Sequence, residues 1–341
     1  MAIQSQSQDQ EGTYMIASLK LELEKMTHNV RTLLWSRNAQ RIKVLIMGRN
    51  LSDGLLAKLI IYLLLSIVAY LYLQPVLYMV STMFKTLSDL LDPTVKWIPR
   101  EVTWENITKA WKGLQYPIAL RNTAILSLSC SIVQVFVCAM TGYALARLSV
   151  PFKGLITALV IMTFLIPPQI IIIPLYVIYS KLHLLNTIFV FLVPAIFGQG
   201  LKGALFILIF RQFFKAQPMS LEEAAKLDGA STLRLFFGIM LPLARSACLV
   251  VFLFSFIWYW NMYYEPSMFL AKSFTPLSIR LDGLEQVLNP SLLGNTFTIT
   301  NPVTESTKMA AAFMIILPPI LVFMFLQRWF VSGIERTGLV E

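Results

Sequence analysis

Two adjacent carboxylates, Glu222 and Glu223, open the most polar stretch between long apolar runs, followed by Ala224, Ala225, Asp228 and Gly229. Paired carboxylates do acid–base chemistry only beside a reacting group that they can protonate or activate. No such group accompanies them. His28 and His183 are isolated, and Cys130, Cys138 and Cys248 sit in apolar runs at no metal-ligand or disulfide spacing, which suits small packing residues. No nucleophile–base arrangement or metal cluster is legible, so no catalytic or metal-binding residue is expected. What two carboxylates do suit is the first turn of a helix, where the dipole favours negative charge. Pro218 gives a loop and Ser220 a helix cap before them, and Gly229 ends the helix. A second short helix then runs to Leu241-Pro242. The product is a bent, compact prong with a small-residue face at Ala224 and Ala225, suited to entering a cleft on a soluble partner. Its chemistry is mechanical.

No G-x-x-x-x-G-K-[ST] loop is present; the nearest glycines, Gly198 and Gly200 with Lys202-Gly203, lie in an apolar run and fit a kink or a close helix approach. ATP and Mg²⁺, if the process uses them, belong to another chain.

The elements that position this prong follow from composition. Of the 341 residues 57% are hydrophobic and 13% charged, against about 25% charged in a soluble domain. Six apolar runs, at residues 55–80, 122–145, 154–178, 187–210, 243–264 and 309–330, have the ~20 residues that a bilayer core demands. Backbone groups cannot go unpaired in lipid, and runs this uniform are helices rather than barrel strands. The organisation expected is a polar N-terminal tail at 1–54, six spans over 55–331 with the prong at 213–242, and a short tail at 332–341. Residues 1–50 hold no secretory h-region, so the run from Leu55 is an uncleaved span. In the tail, Ile16, Leu19, Leu23, Met26, Val30 and Leu33 mark one face of an amphipathic helix. The net charge of +10 reflects loop basic residues meeting anionic lipid rather than nucleic acid. Most of the basic residues fall on one side if both termini and the prong are cytoplasmic.

Polar groups at membrane depth are costly and mark either a pathway or helix–helix bonding. The candidates are the amides Asn122, Gln134, Gln169, Gln199 and Asn261 and the aromatics Tyr143, Tyr176, Trp258 and Trp260. Gln169, Asn261, Trp260 and Asn122 are carried forward as pathway residues. Pro167, Pro168 and Pro174 in the third run, and Pro318 and Pro319 in the sixth, predict interrupted hydrogen bonding. No Asp or Glu lies in the middle of a span, which disfavours an ion-coupled secondary transporter. A membrane enzyme lacks its polar cluster.

The order Glu-Ala-Ala, three residues, Gly, nine residues, Ile, one residue, Leu-Pro resembles the cytoplasmic-loop signature of permeases of bacterial binding-protein-dependent ABC importers. It is met at Glu223, Ala224, Ala225, Gly229, Ile239, Leu241 and Pro242. Gln74-Pro75, Trp97-Ile98-Pro99, Ile166-Pro167-Pro168, Arg211-Gln212-Phe213-Phe214 and Trp258-Tyr259-Trp260-Asn261 are similar to the carbohydrate-uptake branch, in particular the smaller permease type of maltose transporters. The resemblance implies an all-α integral membrane protein of type I importer fold with six transmembrane helices. It also implies a coupling helix in which Glu222, Glu223, Ala224, Ala225, Asp228 and Gly229 meet the ATPase. Its partners would be a second permease subunit in a heterodimer, a cytoplasmic ATPase dimer that binds ATP and Mg²⁺, an extracytoplasmic solute-binding protein, and lipid of a bacterial inner membrane. The implied solute is a sugar or oligosaccharide; a non-sugar such as a phosphorylated polyol is the alternative.

Overall fold

A computed structural model describes residues 54–270, 272–289 and 303–338, together with Met26. The amphipathic pattern expected in the N-terminal tail lies outside the described residues. The helices of eight residues or more are α1 (Leu55–Met83), α2 (Glu105–Leu114), α3 (Tyr116–Arg147), α4 (Lys153–Leu165), α5 (Pro168–Lys181), α6 (Phe189–Ile196), α7 (Gly203–Ala216), α8 (Ser220–Leu227), α9 (Arg245–Asn261) and α10 (Glu305–Gly338). No strand occurs among the described residues. The chain divides into two units between Leu77 and Tyr78. In the first unit α1 is apolar on every side, and its side chains are exposed, as a helix surrounded by lipid would be.

The second unit is built around α3. Its 32 residues extend about 48 Å at 1.5 Å each, more than a bilayer core. Pro117 in the first turn costs no hydrogen bond there. Helices α6, α7 and α9 pack along α3. Closest approach falls at Gly142, where a Cβ would lie 2.6 Å from Phe210 Cβ and 2.8 Å from the Arg211 nitrogen. Between helices in lipid, attraction is mostly van der Waals packing, so a missing side chain is what lets two backbones meet. Several polar side chains inside the bundle are turned onto carbonyls, while Tyr143 Oη and Arg211 Nε are buried without a hydrogen-bond partner. Thr123 Oγ1 donates to Ala119 O at 2.8 Å, Ser127 Oγ to Thr123 O at 2.7 Å, and Gln134 Nε2 to Leu201 O at 2.7 Å.

Three of the expected spans are single helices: α1, α3 and α10 over Glu305–Trp329. The third run is bent by 98° between α4 and α5, and a second bend, of 76°, stands at the start of the fifth run, where Thr232–Leu243 meets α9. The Pro167-Pro168 pair accounts for the first bend, since the second proline cannot donate and disfavours helix in the residue before it. Pro174, Pro318 and Pro319 lie inside helices that continue past them. The fourth run, residues 187–210, is not one helix. It stops at Ile196 and restarts at Gly203, with Gly198 and Lys202 at φ of 73° and 56° in the gap. Lys202, expected within a helix, stands at this break. Helix α10 continues through Gly338, past the boundary expected at residue 331.

One end of the unit is closed by the segments around α2 and by Leu277–Asp282 and Leu284–Leu288. Buried Asn106 ties them, donating to Met83 O and Lys85 O at 3.1 and 2.9 Å and accepting from Thr307 Oγ1 at 3.3 Å. Buried Lys85 Nζ donates to Val95 O and Lys96 O at 3.0 and 2.8 Å. On this surface Thr94 donates to the Asp92 carboxylate through hydroxyl and N–H, and with Arg100 alongside it holds that carboxyl below its usual range.

Gly142→Val should part α3 from α7 and lower the thermal unfolding midpoint of the purified protein, with a loss exceeding the ~1–3 kcal/mol of ordinary overpacking because one neighbour is backbone. Gly154→Val, where a Cβ would meet nothing within 4 Å, should leave the midpoint unchanged. Equal midpoints for the two variants would refute this packing.

Candidate functional site

The stretch following α7 folds as a helix–turn–helix. Helix α8 spans Ser220–Leu227, with Glu222 and Glu223 in its first turn. Ser220 is the first helical residue rather than the cap; Met219 holds the cap position and no side chain bonds there. The C-terminal end is fully paired. Ala230 N–H reaches Ala225 O and Gly229 N–H reaches Lys226 O, both at 3.0 Å, the bond pair that closes a helix when the residue after the cap is left-handed. Gly229 has φ +76° with open space around it. Conformation, not crowding, therefore selects glycine here. Ser231 accepts from Arg234 N–H at 3.4 Å and caps the helix Thr232–Leu235. A π-turn at Phe236–Met240 and Leu241-Pro242 complete the path to α9.

Two faces of α8 have different uses. Glu222 and Ala225, three residues apart, both point inward and are buried. Ala225 packs in a cluster with Tyr143, Phe210, Phe214, Leu235, Phe236 and Met240. Glu223, Ala224 and Asp228 are exposed, as are Leu221 and Leu227, the last at 90%. Ala224 and Ala225 thus do not share an outward small-residue face. Glu222 and Ala225 are turned against their own chain.

The anchor is an ion pair, with Arg147 Nε lying 3.2 Å from Glu222 Oε1 and both side chains about 95% buried or more. Arg147 stands in the last turn of α3. Its guanidinium also donates to Phe214 O at 2.9 Å, to Gln217 O and to Met219 Sδ. One side chain thereby satisfies carbonyls at the end of α7 and neutralises the carboxylate at the start of α8. Nearby, Lys153 Nζ donates to Ala146 O and Leu148 O at 3.1 and 3.3 Å, pairing the last carbonyls of α3. The sequence reading missed Arg147; a basic residue closing a span was its only signal.

The candidate pathway residues separate. Asn122 is buried and donates to Thr275 O at 3.3 Å, and Trp260 is buried with its indole N–H on Ile315 O at 3.0 Å. Both are buried and bear internal ties, through the Asn122 amide N–H and the Trp260 indole N–H. Gln134 is likewise internal, accepting from Ser255 Oγ at 3.0 Å. Tyr143 is buried, and Trp258 stacks on Phe206 at 5.5 Å. Gln169, Gln199, Asn261 and Tyr176 are exposed. They do not form one cluster with Asn122 and Trp260.

A helical bundle with broken spans, closed at one end and carrying a rigid polar prong, defines a multi-pass transport permease. The chain belongs to the family of binding-protein-dependent transport system inner membrane components, whose pattern it matches over residues 139–336. It is 31% identical to a probable ABC transporter permease protein of Pyrococcus horikoshii over 237 residues, 69% of this chain and 80% of that one. It is 26% identical to the sn-glycerol-3-phosphate transport system permease protein UgpE of Yersinia pestis, over 72% of this chain and 85% of UgpE. Its fold matches a chain of a bacterial ABC transporter involved in import of the acidic polysaccharide alginate, with a TM-score of 0.63 at 21% identity, covering 80% and 96% of the two chains. The chain is therefore an ABC importer permease, a membrane subunit that is not itself an enzyme.

Arg147→Met should destabilise the protein by about 3–5 kcal/mol, since it leaves Glu222 buried and unpaired. Adding Glu222→Met should restore the part of the loss that comes from the unpaired charge, the Phe214 and Gln217 carbonyls staying without their donor. Thermal unfolding of the two variants in detergent checks this; a double variant as unstable as the single would show that the charge pair is not the cause.

Proposed function

We propose that this permease forms one half of the translocation pathway for a sugar or oligosaccharide. A second, different permease would supply the other half, and an ATPase dimer, binding ATP and Mg²⁺, would seat the exposed face of α8. The single observation that carries the coupling role is the division of α8 into a locked inner face and a free outer one. A prong that transmits force has to be rigid against its own chain and open to its partner. Glu222 and Ala225 provide the first property, and Glu223, Ala224, Leu227 and Asp228 the second. The sugar assignment is supported by the likeness of the flanking motifs to carbohydrate permeases, and by relatives serving a polyol phosphate and a polysaccharide. The prong and both termini would face the cytoplasm of a bacterial inner membrane, and the end closed by α2 would receive a solute-binding protein.

Ala224→Trp and Leu227→Asp should leave the permease folded yet reduce co-purifying ATPase about tenfold, equivalent to ~1.4 kcal/mol of docking. Ala225→Trp should instead lower the stability of the permease itself. Normal ATPase recovery and normal solute-stimulated hydrolysis with both Ala224→Trp and Leu227→Asp would refute this docking face.

Orientation has its own test. In a background without Cys130, Cys138 and Cys248, Ser88→Cys should label with an impermeant maleimide in intact cells, and Ser220→Cys only after permeabilisation. The reverse pattern would invert the topology.

A further inference from the structure

The interrupted third and fourth runs open onto one cavity of about 190 Å³, room for a ligand group rather than a lone water at ~30 Å³. Ile166 and Pro168 wall it from the α4–α5 bend, and Gln199 through Gly203 wall it from the break between α6 and α7. Helix breaks within spans are tolerated where the freed backbone faces protein or a water-filled cavity, and transporters place solute sites at such breaks. Here the break is braced rather than loose. Leu201 N–H donates to Tyr259 Oη at 2.9 Å and Leu201 O accepts from Gln134.

The cavity's chemistry is mixed and balanced. Lys202 lines it, and this cation in an otherwise apolar run has no ion-pair partner among the described residues. Lys202 is exposed at the helix break rather than buried in the bundle. Glu265 lines the same cavity, as do the Gln199 amide and the aromatic rings of Tyr179, Phe191 and Phe269. Lysine only donates, a carboxylate only accepts, and an amide does both. One cation against one anion leaves no net charge to select an acidic solute.

We infer that this cavity is a solute subsite for a neutral sugar ring, its hydroxyls held by Gln199, Lys202 and Glu265 and its C–H face set against the aromatic wall. The inference rests on the sugar reading above and sharpens it, since a phosphate or uronate would meet the Glu265 carboxylate. None of Gln169, Asn261, Trp260 or Asn122 lines this cavity.

The test uses the whole importer, with companion permease, ATPase and solute-binding protein, in proteoliposomes. Labelled glucose and maltose are compared at saturation with sn-glycerol 3-phosphate and alginate oligosaccharide, and ATP hydrolysis is followed in parallel. The expected result is uptake of a neutral sugar alone, with sugar moved per ATP falling at least tenfold in Gln199→Leu, Lys202→Met and Glu265→Gln. Hydrolysis should stay within twofold, which reports that the variants assemble. Thr163→Cys, on the cavity wall, in a background without the three native cysteines, should react with a soluble maleimide and be protected by the transported sugar. Sugar uptake unchanged in all three variants, with no protection, overturns the cavity assignment while sugar import stands. Absence of neutral-sugar uptake by the unmodified importer, or uptake of the anionic solutes alone, overturns both.

Discussion

Where an apolar run breaks, its backbone must find partners without help from water, and that constraint places the side chains that brace the gap between α6 and α7. Uninterrupted helices such as α1 and α3 pair their own groups. Broken ones borrow side chains. At the Gly198–Lys202 gap, Tyr259 from α9 and Gln134 from α3 take the Leu201 N–H and C=O, and Ser255 holds the other end of the Gln134 amide. At the end of α7, Arg147 does the same for Phe214 and Gln217. Each polar side chain placed so deep would cost several kcal/mol if unpaired in an apolar medium. The breaks and their braces therefore belong to one design.

Packing follows the same logic. Apolar surface gains little by moving from lipid to protein, so contact quality decides which helices meet. Gly142 against Phe210 and Arg211 sets the α3–α7 distance. Beyond it, Tyr143 meets Phe214 edge-on at 5.5 Å and Phe236 at 5.3 Å, filling the wedge beneath α8. Ala225 fits there because it is small. The inward position of the helix–turn–helix is thus specified by a glycine, an aromatic cluster and a buried ion pair, three devices of different chemistry.

Much of this was legible in sequence. Run length and apolarity gave α1, α3 and α10, and the Pro167-Pro168 pair marked the bend that became 98°. The helix–turn–helix, its first-turn carboxylates and the special backbone at Gly229 were also readable. The fourth run was not, because hydropathy measures transfer from water and is blind to hydrogen bonding. Phe197 through Lys202 looked acceptable by apolarity while their backbone turned away from helix; Gly198, Gly200 and Lys202 together were the warning. Asn122 and Trp260 pose a related problem. A polar atom at depth must bond something, and sequence does not say whether that is a solute or the carbonyls of Thr275 and Ile315. The two alanines were treated as one face although a single residue step turns about 100° around a helix.

Helix α3 reaches both ends of the second unit through bonded side chains. Near its start, Thr123 Oγ1 accepts from Leu277 N–H at 2.8 Å and Asn122 holds Thr275 O, both in the closed end. At its finish, Arg147 grips α8. The two attachments are separated by 25 residues of unbroken helix, about 38 Å at 1.5 Å each. Such a rod neither stretches nor compresses appreciably under thermal forces. A tilt imposed at the Thr123 end would therefore be felt at the Arg147 end, where α8 is held. Linking the two ends then needs no relay of small rearrangements, only a lever that both hold.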